Sequence, residues 1–383
     1  MINNSDETYT RGGSGAIATV IAEVRAAAAR DGVEVGLLTS RQGGEPLDGR
    51  GMQQLRVAGV PRHPFLRRVA DKLARVSGWR SARSLAYCRA VSHALRTHGN
   101  VTTVVLHNDP DVALRIARWN PRLAVLHLFH NDLDYDFSAQ GSRVRHLAVS
   151  DWLAGVVQHR INVPVTVVPN GVDADRFVPS DHSTPRKPPV VCFLGRTGRE
   201  KGLDLLLEAL VRLREQGHQM AVLIIGSNTW GEPRDDDYQR SLGAQVEALR
   251  GSGVNVETTG HVARPQLPSV LGRADILVVP SRWEDPAPLV LMEGMSAGLP
   301  VVAARSGGMP EYGLDACLWF ERGDVEGLTR QLTRLLDDES FRRTMSARAR
   351  ALACSLTWDR TWSILATCVD QSGPPPAAVR AAG

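Results

Sequence analysis

The strongest constraint on the fold is one stretch, 276–311, in which predicted elements follow in a fixed order. Its first five residues (ILVVP) are apolar and predict a buried parallel strand. Two acids, Glu284 and Asp285, follow, and an apolar helical stretch then carries Glu293. A second apolar strand, 300–303, leads into a glycine pair. Because open α/β sheets bind ligands beyond the carboxyl ends of their strands, we expect a ligand site here.

Strand and helix patterns alternate through most of the 383 residues, which predicts an α/β protein with parallel sheets. The length suffices for two domains. A polar, proline-rich stretch is the best linker candidate. The predicted division is a first domain over 1–176, a linker over 177–189, a second domain over 190–355, a C-terminal helix over 356–372 that packs back on the first domain, and a disordered tail over 373–383.

The first domain lacks an obvious opening strand. Only Met1 and Ile2 precede polar residues, although a glycine turn (Gly12–Gly15) and a long helical pattern (16–30) follow. Either the first strand is very short, or the chain as written starts late. A late start would remove a central strand from this sheet.

Composition excludes several classes of protein. The formal net charge is only +4, which argues against a nucleic-acid partner. No apolar run is long enough to span a bilayer, and the N-terminus lacks the features of a secretory signal. The five cysteines are scattered without metal-site spacing. We therefore expect a reduced, cytoplasmic protein without a zinc site.

Two further motifs lie at strand ends of the second domain. Gly195-Arg196 closes an apolar strand, and Lys201-Gly202 precedes the next helix. Lysine is rare in this chain, and the other two lysines fall outside any motif. Two cations at a helix start oppose the helix dipole unless an anion is bound, so this pair indicates an anion site.

These motifs resemble those of the retaining glycosyltransferases of family 4, which have the GT-B fold of two Rossmann-like domains around a cleft. The family pattern of an acid, seven residues and Glu is met by Asp285 and Glu293. The glycine turn ending at Glu311 and the segment 169–173 (PNGVD) also match. The family usually has Glu at the first acidic position, so it stays open whether Glu284 or Asp285 contacts the donor sugar.

The resemblance implies roles for individual residues. Arg196 and Lys201 would hold the diphosphate of a nucleotide sugar and stabilise its charge as it departs. Glu293 would hold the ribose, and His130 would face the donor sugar. His107 and His127 are competitors for that place, and His107 is also a candidate acceptor-binding group. The further donor-binding candidates are Gly13, Gly15, Gly226, Val262, Glu284, Leu289 and Val290.

Two polar features invite other interpretations. The run Asp235–Asp237 lies in a polar segment, where a solvated loop and helix start is favoured over a metal site. The region 62–89 carries eight basic residues and one acid, with apolar residues at helical spacing. A solvated helix beside an acceptor site is preferred there, and weak peripheral membrane contact is the alternative.

The predicted function is therefore transfer of a sugar from a nucleoside-diphosphate donor, in the first instance UDP, to a hydroxyl of a glycan or natural product. The resemblance implies retention of configuration, a front-face mechanism, and no metal or other cofactor. The segment 227–231 (SNTWG) is similar to the spore-coat polysaccharide branch, and 41–96 would set the acceptor. The alternatives are a same-fold epimerase or phosphorylase, and an inactive sugar-nucleotide binder.

Overall fold

The protein is described from a computed structural model. The ranges described are 1–3, 9, 15–40, 46–47, 51–55, 57, 63–76, 81–133, 142–179, 186–227 and 237–372. The predicted disordered tail lies outside them, as do most of the N-terminal glycine turn, Asp235 and Asp236. The chain divides into two compact units, one formed by Met1–Pro169 with Trp358–Gly383, and the other by Asn170–Thr357.

The first unit is built on parallel strands with helices between them. Its elements before the boundary are α1 (Ala16–Arg30), β1 (Leu37–Ser40), β2 (Met52–Leu55), α2 (Pro64–Val76), α3 (Ala82–Thr97), β3 (Thr103–His107), α4 (Pro110–Trp119), β4 (Ala124–Phe129), β5 (Val144–Ala148), α5 (Asp151–Ile161) and β6 (Val165–Val167). The sheet order is β3-β4-β5-β6, with β1 and β2 forming a separate parallel pair.

The N-terminal residues join these two groups of strands. Ile2 forms parallel bridges with Leu38 of β1 and with Leu106 of β3. Its backbone N–H donates to the Val105 carbonyl at 2.8 Å, and its carbonyl accepts from the His107 N–H at 3.1 Å. Ile2 therefore lies between β1 and β3, in the central place of this sheet.

The second unit is a six-stranded parallel sheet with helices between its strands. Its elements are β7 (Val190–Leu194), α6 (Leu203–Glu215), β8 (Ala221–Ile225), α7 (Asp237–Gly251), β9 (Asn255–Gly260), α8 (Leu267–Leu271), β10 (Ile276–Val279), α9 (Leu289–Ser296), β11 (Val301–Arg305), α10 (Met309–Gly313), β12 (Cys317–Glu321), α11 (Val325–Asp337) and α12 (Glu339–Ser355). The strand order is β12-β11-β10-β7-β8-β9.

Sequence composition explains why this unit folds as it does. Strands β7, β8 and β10 are nearly continuous apolar runs, as expected for strands covered on both faces. The leucine-rich helix α6 buries Leu206, Leu207 and Leu210 completely against them. This arrangement confirms the predicted α/β class and fixes the strand ends that carry the candidate site.

The last helix, α13 (Trp358–Asp370), belongs to the first unit. Its Asp359 carboxylate lies 2.6 Å from the Arg30 guanidinium, and its Trp362 indole N–H donates to Asp31 at 2.9 Å. The boundary of the units lies at Pro169–Asn170, ahead of the proline-rich stretch that the sequence favoured as a linker. Residues 186–189 of that stretch instead lead into β7, where the Asp275 carboxylate accepts from the Val190 N–H at 2.8 Å.

Candidate active site

The candidate site of the second unit lies where its strand order reverses. Strand β7 has β8 on one side and β10 on the other, so the connections leave in opposite directions from this point. Such a switch point opens a crevice beyond the carboxyl ends of the two central strands. The loop after β7 carries Arg196 and Lys201, and the loop after β10 carries Glu284 and Asp285. Topology thus brings two distant motifs to one edge of the sheet.

Close backbone contacts hold these loops together. Gly202 has φ +69°, and a Cβ added there would lie 2.0 Å from the Pro280 carbonyl oxygen. A Cβ on Gly226 would lie 1.9 Å from the Gly195 carbonyl oxygen. The Glu200 carbonyl accepts the N–H of Trp283 at 3.1 Å. Only glycine permits these approaches, so the glycines fix the positions of the charged side chains beside them.

Each predicted phosphate-binding cation has a carboxylate partner. Lys201 Nζ lies 2.8 Å from Asp285 Oδ2, and both side chains are largely buried. Arg196 Nη2 lies 3.0 Å from Glu200 Oε1, with half of the arginine side chain exposed. The Arg196 pair is solvated and weak, so its guanidinium is available to an incoming anion. The Lys201 pair connects the two loops of the switch point.

The two neighbouring acids have different environments, which bears on the alternative left open by the sequence. Glu284 accepts the Gly307 backbone N–H at 2.5 Å and the Ser306 hydroxyl at 3.3 Å, and it pairs with Arg322. Its carboxylate therefore holds the glycine turn. Asp285 instead faces Lys201. The geometry favours Asp285 as the acid directed at a ligand.

Glu293 is buried on α9 and pairs with an arginine that the sequence analysis did not select. Arg264 Nη2 lies 2.5 Å from Glu293 Oε1, and the Glu293 side chain is only 5% exposed. Oε2 of Glu293 has no hydrogen bond within the described ranges. Arg264 follows β9 by four residues and precedes Pro265. The only sequence feature that could have identified Arg264 is its position shortly after Gly260, the glycine that ends β9.

The remaining donor-binding candidates of this unit lie at strand and helix ends. Leu289 and Val290 form the first turn of α9, and neither backbone N–H donates to a group in the described part of the chain. These N–H groups can face an anion. The Gly226 N–H donates to the Gly260 carbonyl at 2.9 Å, which ties the turn before Val262 to the neighbouring strand end. Val262 itself is half-buried.

The predicted histidines of the first unit form a buried cluster. His107 Nδ1 and His130 Nε2 lie 2.9 Å apart, and the His127 and His146 rings are opposite one another in β4 and β5. Burial lowers the pKa of His130 to about 3 and that of His146 to about 4. Burial, together with neighbouring histidines, also lowers the pKa of His107 and His127. All four rings are therefore neutral, and His130 acts as a hydrogen-bonding group.

The other residues singled out from the sequence have structural roles or lie outside the described ranges. Gly15 caps α1 by accepting the Thr19 N–H at 3.2 Å, whereas Gly13 lies outside. Asn170 donates from its side chain to the Ala287 carbonyl at 3.3 Å, and its backbone N–H donates to the Tyr312 hydroxyl at 2.9 Å. Asp237 begins α7. Among the described residues, no three His, Cys, Asp or Glu side chains are grouped to hold a metal ion.

Comparisons with known proteins show which families and proteins this chain is similar to. A family model described as glycosyl transferases group 1 matches residues 175–352. The lipopolysaccharide 1,2-N-acetylglucosaminetransferase of Salmonella typhimurium is 24% identical over 73% of this chain and 76% of its own length. The glycogen synthase of Mycobacterium tuberculosis is 33% identical over 54% of this chain, which spans about half (47%) of that protein.

Solved structures of the same architecture cover nearly the whole chain. Sucrose-phosphate synthase from Thermosynechococcus elongatus superposes with a TM-score of 0.73 at 17% identity, over 97% of this chain and 98% of its own. Anabaena HepE in complex with UDP-glucose gives 0.71 at 18% identity, over 97% and 99%. These neighbours confirm the predicted GT-B fold. The chain has the GT-B fold, and it is similar to the group 1 glycosyl transferases over residues 175–352.

Proposed function

We propose that the protein transfers a sugar from a nucleoside-diphosphate donor, UDP in the first instance, to a hydroxyl of a glycan or natural-product acceptor with retained configuration. The observation that carries this proposal is the Lys201–Asp285 pair at the switch point, flanked by Arg196 and by the first turn of α9. Cations and free N–H groups suit a diphosphate, while a carboxylate beside them suits sugar hydroxyls.

In this proposal Arg196 and Lys201 contact the diphosphate. As the bond between the anomeric carbon and the phosphate oxygen breaks, negative charge grows on that oxygen, and the two cations stabilise it most in the transition state. The acceptor oxygen forms its bond to the same face of the anomeric carbon. The acceptor proton passes to the leaving phosphate, so no side chain has to act as the base.

The carboxylates have separate parts in this proposal. Glu293 accepts hydrogen bonds from the ribose hydroxyls at Oε2, because Oε1 already accepts one from Arg264. Asp285 accepts hydrogen bonds from hydroxyls of the donor sugar. Glu284 holds the glycine turn beside Asp285 in place. Support for UDP comes from the fold neighbour Anabaena HepE, whose structure contains UDP-glucose. We also propose that catalysis needs no metal ion and takes place in the cytoplasm, within polysaccharide or natural-product synthesis.

A thermal-shift panel of UDP, GDP, ADP and TDP, followed by their sugar conjugates, tests the donor assignment. We expect UDP to raise the melting temperature of the wild-type protein, and Arg196→Ala to reduce that shift. Stabilisation by another nucleotide alone would replace the UDP assignment. A nucleotide shift without turnover on any acceptor would favour a sugar-nucleotide binder. Loss of activity in EDTA with recovery in manganese would contradict the metal-independent mechanism.

A further inference from the structure

Two consecutive residues at the end of β3 hold His130, which follows β4. His107 holds its ring, since His107 Nδ1 lies 2.9 Å from His130 Nε2. Asn108 holds its backbone, since Asn108 Oδ1 accepts the His130 N–H at 3.1 Å and the Asn131 N–H at 3.3 Å. Because β3 and β4 are adjacent and parallel, both histidines lie at the carboxyl edge of this sheet, where α/β sheets bind ligands.

The two imidazole rings meet edge to edge. Their planes differ by only 20°, and their centres lie 5.2 Å apart. This separation is roughly the 2.9 Å between the two nitrogens plus the radii of two imidazole rings, so both nitrogens lie on the line that joins the ring centres. A proton between them then lies near the plane of both rings, which is the favoured direction for a hydrogen bond.

This hydrogen bond requires a defined tautomer in both rings. A neutral imidazole carries one ring proton, so one of its nitrogens donates and the other accepts. Burial lowers the pKa of His107, and it lowers the pKa of His130 to about 3, so both rings are neutral near pH 7. The shared proton therefore belongs either to His107 Nδ1 or to His130 Nε2.

The surroundings of His107 favour one of these two arrangements. Its other nitrogen, Nε2, is buried and has no hydrogen-bond partner in the described part of the chain. If His130 carried the shared proton, His107 Nε2 would be an N–H group without an acceptor, and buried groups of that kind are rare. If His107 Nδ1 carries it, the one ring proton of His107 is bonded. The proton of His130 must then be on Nδ1.

His130 Nδ1 is available to a ligand. It has no hydrogen bond to any residue of the described ranges, and unlike His107 Nε2 it is not sealed from solvent. We propose that His107 is a positioning residue that fixes the tautomer of His130, so that His130 Nδ1 presents an N–H group to a sugar hydroxyl. The identity of this ligand rests on the proposed function, whereas the tautomer does not.

Nitrogen NMR of the full chain with isotope-labelled histidines tests the tautomer without any ligand. A protonated and a bare ring nitrogen differ in chemical shift, and the His130 signals are those that disappear in His130→Gln. We expect the wild-type proton on Nδ1 from about pH 8 to about pH 6. In His107→Leu, His130 should become a mixture of both neutral tautomers. His107→Asn should keep the wild-type tautomer, because its amide nitrogen replaces Nδ1 and can donate.

Kinetics with the nucleotide sugar that is turned over test the effect on the ligand. We expect His107→Leu to lower kcat/KM about tenfold or more, by analogy with groups that orient metal-binding histidines. His107→Asn should keep most of the wild-type value. The UDP-induced melting shift should be unchanged in both variants, because UDP lacks the transferred sugar. His146→Leu is the matched control, since it removes a similarly buried imidazole (2% exposed, against 1% for His107) and should change neither the tautomer nor kcat/KM.

A wild-type proton on His130 Nε2, or a tautomer that His107→Leu leaves unchanged, overturns the proposal. Equal losses of kcat/KM in His107→Leu and His107→Asn, or in His107→Leu and His146→Leu, also overturn it, because lost packing would then explain them. A changed tautomer with unchanged kcat/KM would remove the sugar hydroxyl from the proposal. Absence of turnover with every nucleotide sugar would count against the proposed function alone, because the tautomer is measured on the ligand-free protein.

Discussion

Lys201 Nζ lies 2.8 Å from Asp285 Oδ2, and this ion pair connects side chains of the two loops that leave the central strands of the second unit. Each partner keeps the other ordered, since a largely buried charge requires a counter-charge. The contact also sets a cation for phosphate beside a carboxylate for sugar hydroxyls. A ligand that bears both groups can engage the pair without leaving either charge unpaired.

Removal of the Lys201 charge should impair turnover. We expect Lys201→Met to lower kcat about 10²–10³-fold, because one charge-stabilising group is lost from the transition state. The UDP-induced melting shift should also shrink. Arg199→Met is the matched control, because Arg199 is an exposed cation on the same loop as Lys201. Its guanidinium lies over the Tyr238 ring. Equal kcat values for Lys201→Met and the wild type would contradict the phosphate role of Lys201.

Variants of the Arg264–Glu293 pair should distinguish its effect on donor binding from its effect on stability. Arg264→Leu leaves a buried carboxylate unpaired, so we expect a loss of about 3 kcal/mol in the free energy of unfolding and a raised donor KM. The double variant R264L/E293L should regain much of the stability but not the donor affinity. Urea unfolding and donor kinetics measure the two effects.

The ribose contact proposed for Glu293 has its own test. Glu293→Gln should raise the KM for the natural donor more than that for its 2′-deoxy analogue, because the analogue lacks one of the hydroxyls that the carboxylate accepts. Equal effects on both donors would remove the ribose contact from the proposal while leaving the stability role of the pair intact.

Gly202 should tolerate no side chain. A Cβ would overlap the Pro280 carbonyl, so we expect Gly202→Ala to cost about 3 kcal/mol of stability and to displace Lys201. Gly217→Ala is the control, because Gly217 also has positive φ but open space around it. Its cost should be only about 1 kcal/mol, from the backbone conformation alone. Chemical denaturation of both variants decides whether the contact or the conformation matters.

The buried histidines should make the first unit sensitive to acid. Their folded-state pKa values lie below the usual 6.5, at about 3 for His130 and about 4 for His146. Below pH 6.5 the unfolded chain therefore binds more protons than the folded chain does. The histidines' contribution to stability should be complete above that pH and fall toward pH 4, by up to about 1.4 kcal/mol per pH unit for each histidine.

Denaturation between pH 7.5 and 5 measures this slope. His146→Leu should flatten it by the share of one histidine. An identical slope in His146→Leu would show that this imidazole is not the titrating group.

Sequence periodicity predicted much of the fold because buried parallel strands carry a strong local signal. Apolar runs in the sequence predict strands at 190–194, 221–225 and 276–279, and the observed strands have the same bounds. The pattern at 33–39 also predicts a strand, but the observed strand β1 (Leu37–Ser40) begins four residues later. Strand β2 (MQQL) was missed because its pattern is polar with partly exposed residues, and β12 was missed as a separate element.

The amino-acid sequence by itself determined which chemical groups the protein has at its strand ends, because glycine turns and charged motifs are local and have fixed spacing. Tertiary structure alone decided which groups meet. The strand order brings Lys201 into contact with Asp285, although 84 positions separate them in the sequence. It also places the Glu284 carboxylate at the backbone N–H of Gly307 in the glycine turn. It also brought Arg264 into an ion pair with Glu293. Pairing of this kind depends on strand order and loop contacts, which no local pattern encodes.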